Sequence, residues 1–129
     1  MGIIGTHVLL YSSEPDALRA MLRDVFGWKH VDAGDGWLIF ALPPTELGVH
    51  SAEGSTYDSG VRHQFTLMCD DIQATVRELR AKNVEVVGEP EDEGYGITVM
   101  LRLPGGPEVM LYEPRHAVAI QPRPAQPRM

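Results

Sequence analysis

The side chains in this sequence that could do chemistry are few and widely spaced. No serine, cysteine or lysine stands beside a histidine in a pattern typical of an activated nucleophile. Cys69 lies in the apolar run FTLMC, where a lone thiol is more often a small core residue than a nucleophile. Gly34, Asp35 and Gly36 form a hairpin-turn sequence, which is not a phosphate-binding loop. The sequence therefore gives no sign of covalent catalysis or of phosphate recognition by a glycine-rich loop.

Arg102 is the one charged residue in the apolar run ITVMLRL. If it lies on a strand face that lines a cavity, its guanidinium provides an anion-binding group in an acidic protein. If it alternates to the other face, it pairs with a surface acid. The sequence leaves both interpretations open.

Charge and composition exclude several classes of partner. The chain has 18 acidic and 11 basic residues, a formal net charge of -7, and no block of lysine or arginine, so we expect no nucleic acid or anionic lipid partner. No apolar run approaches the roughly 20 residues of a membrane helix, and no basic region precedes the first apolar stretch. We therefore expect a cytoplasmic protein whose ligand is a small molecule, neutral, weakly charged or held at a locally positive spot.

The elements that must position these side chains occur twice in the same order. In the first half, the apolar run THVLLY precedes helix-start residues at Ser13, Glu14 and Pro15, and Gly27 ends the predicted helix. In the second half, the run HQFTLMC precedes an aspartate cap, and Asn83 ends a second helix. Apolar stretches separated by turn residues follow each helix. We therefore predict the order strand, helix, strand, strand, strand in each half.

The spacing of equivalent positions supports an internal duplication. His7 and Gln64 lie 57 positions apart, and Gly27 and Asn83 lie 56 apart. We predict one domain over residues 1–113, made of repeats at about 1–52 and 61–113 that are joined by the Gly- and Ser-rich segment SAEGSTYDSG. Residues 114–129 contain four prolines and three basic residues, and read as an extended or disordered tail.

This tandem repeat resembles the vicinal oxygen chelate superfamily, which includes glyoxalase I, extradiol dioxygenases, and the fosfomycin and bleomycin resistance proteins. The resemblance covers residues 3–113. The segments on which it depends are His7, FGW at the end of the first helix, QFTLMCDDIQATVRELRAKNVEV, and LPGGPEVMLYEP. It implies an α+β fold in which tandem βαβββ modules form paired curved sheets around a cavity. A second copy of the chain often completes such a cavity, so we expect a homodimer, which would also cover open sheet edges.

The resemblance also implies metal-ligand positions on the first and last strands of each module. His7 stands at the first of these positions and Gln64 at the second, but Met110 occupies the place of the usual carboxylate and Gly48 is its first-half counterpart. A thioether is a poor ligand for the zinc, iron, nickel or manganese ions that such sites would hold. If the last strands are shifted by two residues, His50 and Tyr112 face the cavity instead, and His7 and His50 with a third group form an unusual metal site.

Our leading hypothesis is a protein of this superfamily without the usual metal, whose cavity binds a small apolar or aromatic molecule. The site residues are then His7, His50, Gln64, Met110 and Tyr112, with Arg102 as the candidate anion-binding group. The alternative is a metal-dependent lyase or dioxygenase that uses His7 and Gln64 with a third ligand. A third possibility is a subunit whose cavity is filled by its own side chains, and the sequence does not decide whether the protein is an enzyme.

Overall fold

The computed structural model describes residue 2, residues 7–48 and residues 52–120, the side chains of residues 56 and 57 aside. The helices are α1 (Pro15–Asp24), α2 (Ser55–Asp58) and α3 (Ile72–Ala81). The strands are β1 (His30–Asp32), β2 (Leu38–Phe40), β3 (Thr66–Met68), β4 (Glu85–Asp92), β5 (Gly96–Arg102) and β6 (Glu108–Pro114). In this part of the chain, no helix has the length and hydropathy needed to cross a bilayer.

The strands form two sheets. In the second half, four strands lie in the order β3-β6-β5-β4, with β3 parallel to β6 and the other pairs antiparallel. In the first half, β1 and β2 form an antiparallel hairpin across the Gly34–Gly36 turn. Because β3, α3 and the three following strands appear in the predicted order, the α+β class expected from the sequence is confirmed.

Both long helices end where the sequence predicts. Gly27 follows α1 with φ 68°, and Asn83 follows α3 with φ 64°, the left-handed conformation that ends helices. The Asp71 side chain accepts a hydrogen bond from Ala74 N at 3.1 Å, so the predicted aspartate cap of α3 is present.

The start of α1 differs from the prediction. Its cap residue is Glu14, which makes no side-chain cap hydrogen bond. The predicted cap, Ser13, instead donates its N–H and its hydroxyl to Gly105 O, at 3.1 and 3.2 Å, and Ser12 Oγ donates to Pro104 O at 2.6 Å. These hydrogen bonds of the two serines therefore join the first half to the turn between β5 and β6.

The first half contains fewer strands than expected. Neither residues 7–12 nor residues 41–48 form a strand in the described part of the chain. A strand is stable only when it is paired, and Leu9 and Leu47 are 61% and 90% exposed, so no neighbouring sheet covers them. The predicted linker also differs, since it contains the short helix α2.

One hydrophobic core lies between α3 and the four-stranded sheet. Its buried members are Leu18, Ile72, Val76, Leu79, Val84, Val99, Leu101, Leu103, Val109 and Leu111. Leu18 comes from α1, so the first half contributes to the same core. In β5 and β6 the buried aliphatic residues alternate with residues on the opposite face, and this alternation positions the candidate site.

Candidate functional site

The side of the four-stranded sheet that faces away from α3 is the candidate site, and we call it the open face. Strand register places Thr66 beside Met110 and Met68 beside Tyr112 on this side. The same register places Met100 on the other side of Met110 and Thr98 on the other side of Tyr112. Three thioethers therefore lie among hydroxyl groups in the middle of the open face: Met68, Met100, Met110, Thr66, Thr98 and Tyr112.

Gln64 and Met110, two of the predicted site residues, lie together at this face. Gln64 Nε2 is 4.0 Å from Met110 Sδ and 3.5 Å from Thr66 Oγ1. Gln64 precedes β3 by two residues, so strand alternation puts its side chain on the same side as Thr66. A neutral amide beside a thioether provides weak hydrogen bonding on an apolar floor, without a formal charge.

Tyr112 lies at the other end of the open face, next to the segment that follows β6. Its hydroxyl is 3.4 Å from His116 Nε2. Partial burial, and the nearby acidic Glu46 and Tyr95, raise the pKa of Tyr112 above its ordinary value. The phenol is therefore a neutral donor near pH 7, suited to hydrogen bonding rather than to ligating a metal as a phenolate.

The described part of the predicted tail makes defined contacts. Arg115 N donates to Tyr95 O at 2.9 Å, and Ala119 N donates to Glu46 Oε2 at 2.7 Å. The Arg115 guanidinium also pairs with Asp92. Residues 115–120 thus connect the β4–β5 turn with Glu46 of the first half, instead of extending freely.

Arg102 lies at the end of the open face and is paired with two acids. Its guanidinium donates to Glu85 Oε2 at 2.8 Å and to Glu108 Oε1 at 3.0 Å. The hydrogen bond that Arg102 donates to Glu108, together with the charges of both carboxylates, raises the pKa of Arg102. Arg102 therefore lies on the face that the first interpretation requires, but its guanidinium pairs with surface acids as in the second.

The remaining predicted site residues are not brought to this cluster. His7 is exposed, and within residues 7–48 and 52–120 it makes no hydrogen bond or ion pair. His50 lies outside the described residues. Across the described ranges, no group of three or more His, Cys, Asp or Glu side chains could hold a metal ion. Amide, thioether and phenol groups do not fit the zinc, iron, nickel or manganese ions of the alternative hypothesis.

Cys69 and Glu113 have structural surroundings on the core side. Burial raises the pKa of the Cys69 thiol to about 11, and its Sγ lies 3.6 Å from Tyr112 O, so it is a protonated, unreactive group near pH 7. Glu113 Oε1 accepts a hydrogen bond from Ile72 N at 3.0 Å, at the start of α3. The Glu113 carboxylate therefore caps α3 and lies away from the open face.

Sequence reasoning missed a depression of about 340 Å³ beside Met100 and Met110. It forms where β4 is irregular: Val87 pairs with Met100 and Glu91 with Thr98, so β4 has two extra residues there. We call it the bulge depression, and its lining residues are Val87, Gly88, Glu89, Glu91, Glu93, Thr98, Val99, Met100 and Met110. The sequence signal was a glycine and a proline inside a strand, at positions 88 and 90, which is typical of a bulge.

Comparison with known proteins places the chain in one family. The family model for the Glyoxalase/Bleomycin resistance protein/Dioxygenase superfamily matches residues 6–111. No curated protein sequence is significantly similar to the chain.

Solved structures with the same fold differ in what they do. A lactoylglutathione lyase from Agrobacterium tumefaciens is 21% identical, with a TM-score of 0.59 over 88% of this chain and 94% of its own. TnmS3, an antibiotic binding protein from Streptomyces sp. CB03234, is 19% identical, with a TM-score of 0.61 over 88% and 98%. A superfamily member from Sphaerobacter thermophilus is also 19% identical, with a TM-score of 0.57 over 88% and 99%. At these identities the likeness shows the fold alone.

Proposed function

Because the chain belongs to the glyoxalase/bleomycin resistance protein/dioxygenase superfamily, we propose that its open face binds a small apolar or aromatic molecule without the usual metal ion. The observation that supports this proposal most directly is the contact between Gln64 Nε2 and Met110 Sδ. At the place where the family resemblance implies a metal-binding carboxylate, this chain has a thioether beside a neutral amide. Such a pair suits an aromatic or aliphatic surface better than a divalent ion.

The surroundings of this pair support the same function. Thioethers are polarisable and adapt to the shape of an apolar ligand, and they make favourable contacts with aromatic rings. Gln64 and Tyr112 can orient such a ligand through one hydrogen bond each. A lyase and an antibiotic binding protein share this fold, so the fold alone does not choose between catalysis and binding. The neutral amide, thioether and phenol groups of the open face favour binding over catalysis.

A fluorescence titration with dansylamide, a neutral aromatic probe, tests the proposal. Met110→Glu places a desolvated charge on the floor of the open face, and we expect it to weaken dansylamide binding by about tenfold. Ala81→Glu adds the same charge at the exposed end of α3, on the other side of the sheet, and is the matched control. Equal dansylamide affinity in Met110→Glu and Ala81→Glu would contradict binding at the open face.

The rival function is a metal-dependent lyase or dioxygenase that uses His7, Gln64 and a third ligand. Elemental analysis of protein purified without chelator separates the two functions. A stoichiometric zinc, iron, nickel or manganese ion that is lost in His7→Ala would establish the rival and refute the metal-free proposal.

The proposal includes a cytoplasmic homodimer. Several large apolar side chains of the first half are exposed, including Tyr11 at 85% and Leu47 at 90%, and a second copy of the chain would cover them. Light scattering coupled to size-exclusion chromatography should give twice the chain mass of 14.3 kDa. A mass of one chain at micromolar concentration would contradict the dimer but not the proposed ligand site.

A further inference from the structure

The segment that follows β6 lies at one end of the open face, and we call residues 115–120 the strap. Arg115 N donates to Tyr95 O at 2.9 Å, at the turn between β4 and β5. Ala119 N donates to Glu46 Oε2 at 2.7 Å, in the first half of the chain. The strap is therefore attached near both of its ends, and the residues between these attachments are held close to the end of β6.

The strap places a histidine beside Tyr112, a residue of the proposed ligand site. The imidazole of His116 and the phenol ring of Tyr112 have centroids 6.0 Å apart and planes inclined by 31°. On the other side, a Cβ at Gly96 would lie 3.2 Å from Tyr112 Cδ2, so the ring lies against backbone that has no side chain. The Tyr112 ring is thus held between Gly96 and His116.

The hydrogen bonds of His116 fix the direction in which the Tyr112 hydroxyl points. His116 Nδ1 lies 2.9 Å from Ala117 O. A carbonyl oxygen only accepts, so Nδ1 carries the proton, and Nε2 of the neutral imidazole is then an acceptor. The Tyr112 hydroxyl, 3.4 Å from Nε2, therefore donates to it. Its proton points toward the strap, and its oxygen lone pairs are left for a ligand.

A second acceptor lies at the same end of the open face. Partial burial raises the pKa of Tyr112, and the negative charge of the nearby Glu46 raises it further. One oxygen of the Glu46 carboxylate accepts from Ala119 N, and an ionised carboxylate has no proton to donate. Tyr112 and Glu46 therefore both present acceptor oxygens here, whereas a ligand needs a donor to pair with them.

We propose that the strap, acting through His116, makes the open face select ligands whose polar group is a hydrogen-bond donor, such as a phenolic hydroxyl, on an aromatic or aliphatic body. The body lies on the methionines, and the donor lies at the Tyr112 oxygen. A group that only accepts would face oxygen lone pairs and lose its hydrogen bond. His116 is a positioning residue, because it orients Tyr112. This inference rests on the proposed binding function and adds the hydrogen-bonding class of the ligand.

Two neutral probes with the same aromatic body test the preference. 2-Naphthol carries a hydroxyl that donates, whereas the oxygen of 2-methoxynaphthalene only accepts. In calorimetric titrations near neutral pH, we expect 2-naphthol to bind about fivefold more tightly, the effect of one hydrogen bond between neutral groups. Tyr112→Phe removes the acceptor oxygen and should reduce this ratio to less than about twofold. A full ratio in Tyr112→Phe would contradict the inference.

Variants of the strap test the role of His116. In His116→Leu the Tyr112 hydroxyl has no fixed acceptor, so it can rotate to serve either probe, and the ratio should decrease to less than about twofold. The amide oxygen of His116→Gln can accept the Tyr112 proton and should keep the ratio. Ala117→Leu makes the same apolar side chain at the next, exposed position and is the matched control. It should also keep the ratio.

The ratio of affinities separates positioning from a structural role. If His116 only supports the strap, His116→Leu weakens both probes equally and leaves the ratio unchanged, and the inference is wrong. The inference is also wrong if His116→Gln loses the ratio as fully as His116→Leu does.

Dansylamide separates this inference from the function on which it rests. If dansylamide binds and responds to Met110→Glu, but the two naphthalenes bind equally, the donor preference is wrong and the binding function is retained. If neither dansylamide nor the naphthalenes bind, both the function and the inference fail.

Discussion

The side-chain amide of Gln64 lies against the thioether of Met110, with 4.0 Å between Nε2 and Sδ. The two residues are 46 positions apart, and the parallel pairing of β3 with β6 brings them together. This contact replaces the ligand–carboxylate pair that the family resemblance implies, and it makes this part of the open face neutral. The proposed metal-free binding therefore depends on the identity of residue 110.

Gln64→Ala should separate ligand binding from stability. Gln64 is exposed and its contacts are long, so we expect the free energy of unfolding to change by less than about 0.5 kcal/mol. Loss of one ligand hydrogen bond should weaken dansylamide binding by about threefold. Urea denaturation and fluorescence titration measure the two quantities. A large loss of stability with unchanged affinity would show that Gln64 is structural.

Gly105→Ala should be more destabilising than Gly106→Ala. Both glycines have positive φ, 84° and 112°, so alanine is strained at either position, at a cost of about 1–3 kcal/mol. At Gly105 a Cβ would also lie against the Ser12 hydroxyl and 2.7 Å from Ser13 N, whereas at Gly106 it meets open space. We expect an additional loss of about 2 kcal/mol for Gly105→Ala, measured by urea denaturation. Equal losses would show that the halves do not approach as closely as described.

Glu113→Ala should weaken α3. Its carboxylate accepts a hydrogen bond from the N–H of Ile72, a residue that is 1% exposed, and it places negative charge at the start of the helix. We expect a loss of about 1–3 kcal/mol in the free energy of unfolding. Glu113→Gln keeps an acceptor oxygen and should lose less, while Asp71→Ala removes the other cap and should lose about 1 kcal/mol. No change in thermal stability for Glu113→Ala would contradict the capping role.

Cys69 should make the protein less stable at high pH. Burial raises the pKa of this thiol from 9.0 to about 11 in the folded protein, so the folded state holds the proton more tightly than the unfolded state does. The resulting contribution to stability is complete below pH 9 and is lost as the pH rises from 9 to 11. Relative to Cys69→Ala, the parent protein should therefore lose stability over this window. A constant difference between the two, followed by urea denaturation at pH 8, 9.5 and 11, would show that the thiol is solvated.

The amino-acid sequence determined the two long helices, the residues that follow their ends, and the family. Pro15 and Asp71 mark where α1 and α3 begin, and Gly27 and Asn83 follow their ends, because capping and left-handed conformations depend on neighbouring residues. The pairing of equivalent segments pointed to the superfamily whose family model matches residues 6–111.

Tertiary structure decided which side chains meet. Three interactions join positions that are distant in sequence. Arg102 pairs with Glu85, Ser13 donates to Gly105 O, and Glu113 accepts from the N–H that begins α3. Two extra residues in β4 open the bulge depression and bring Glu91 opposite Thr98. Local pattern could not predict these relationships, since strand register and burial depend on the free energy of the whole packed sheet rather than on any one segment.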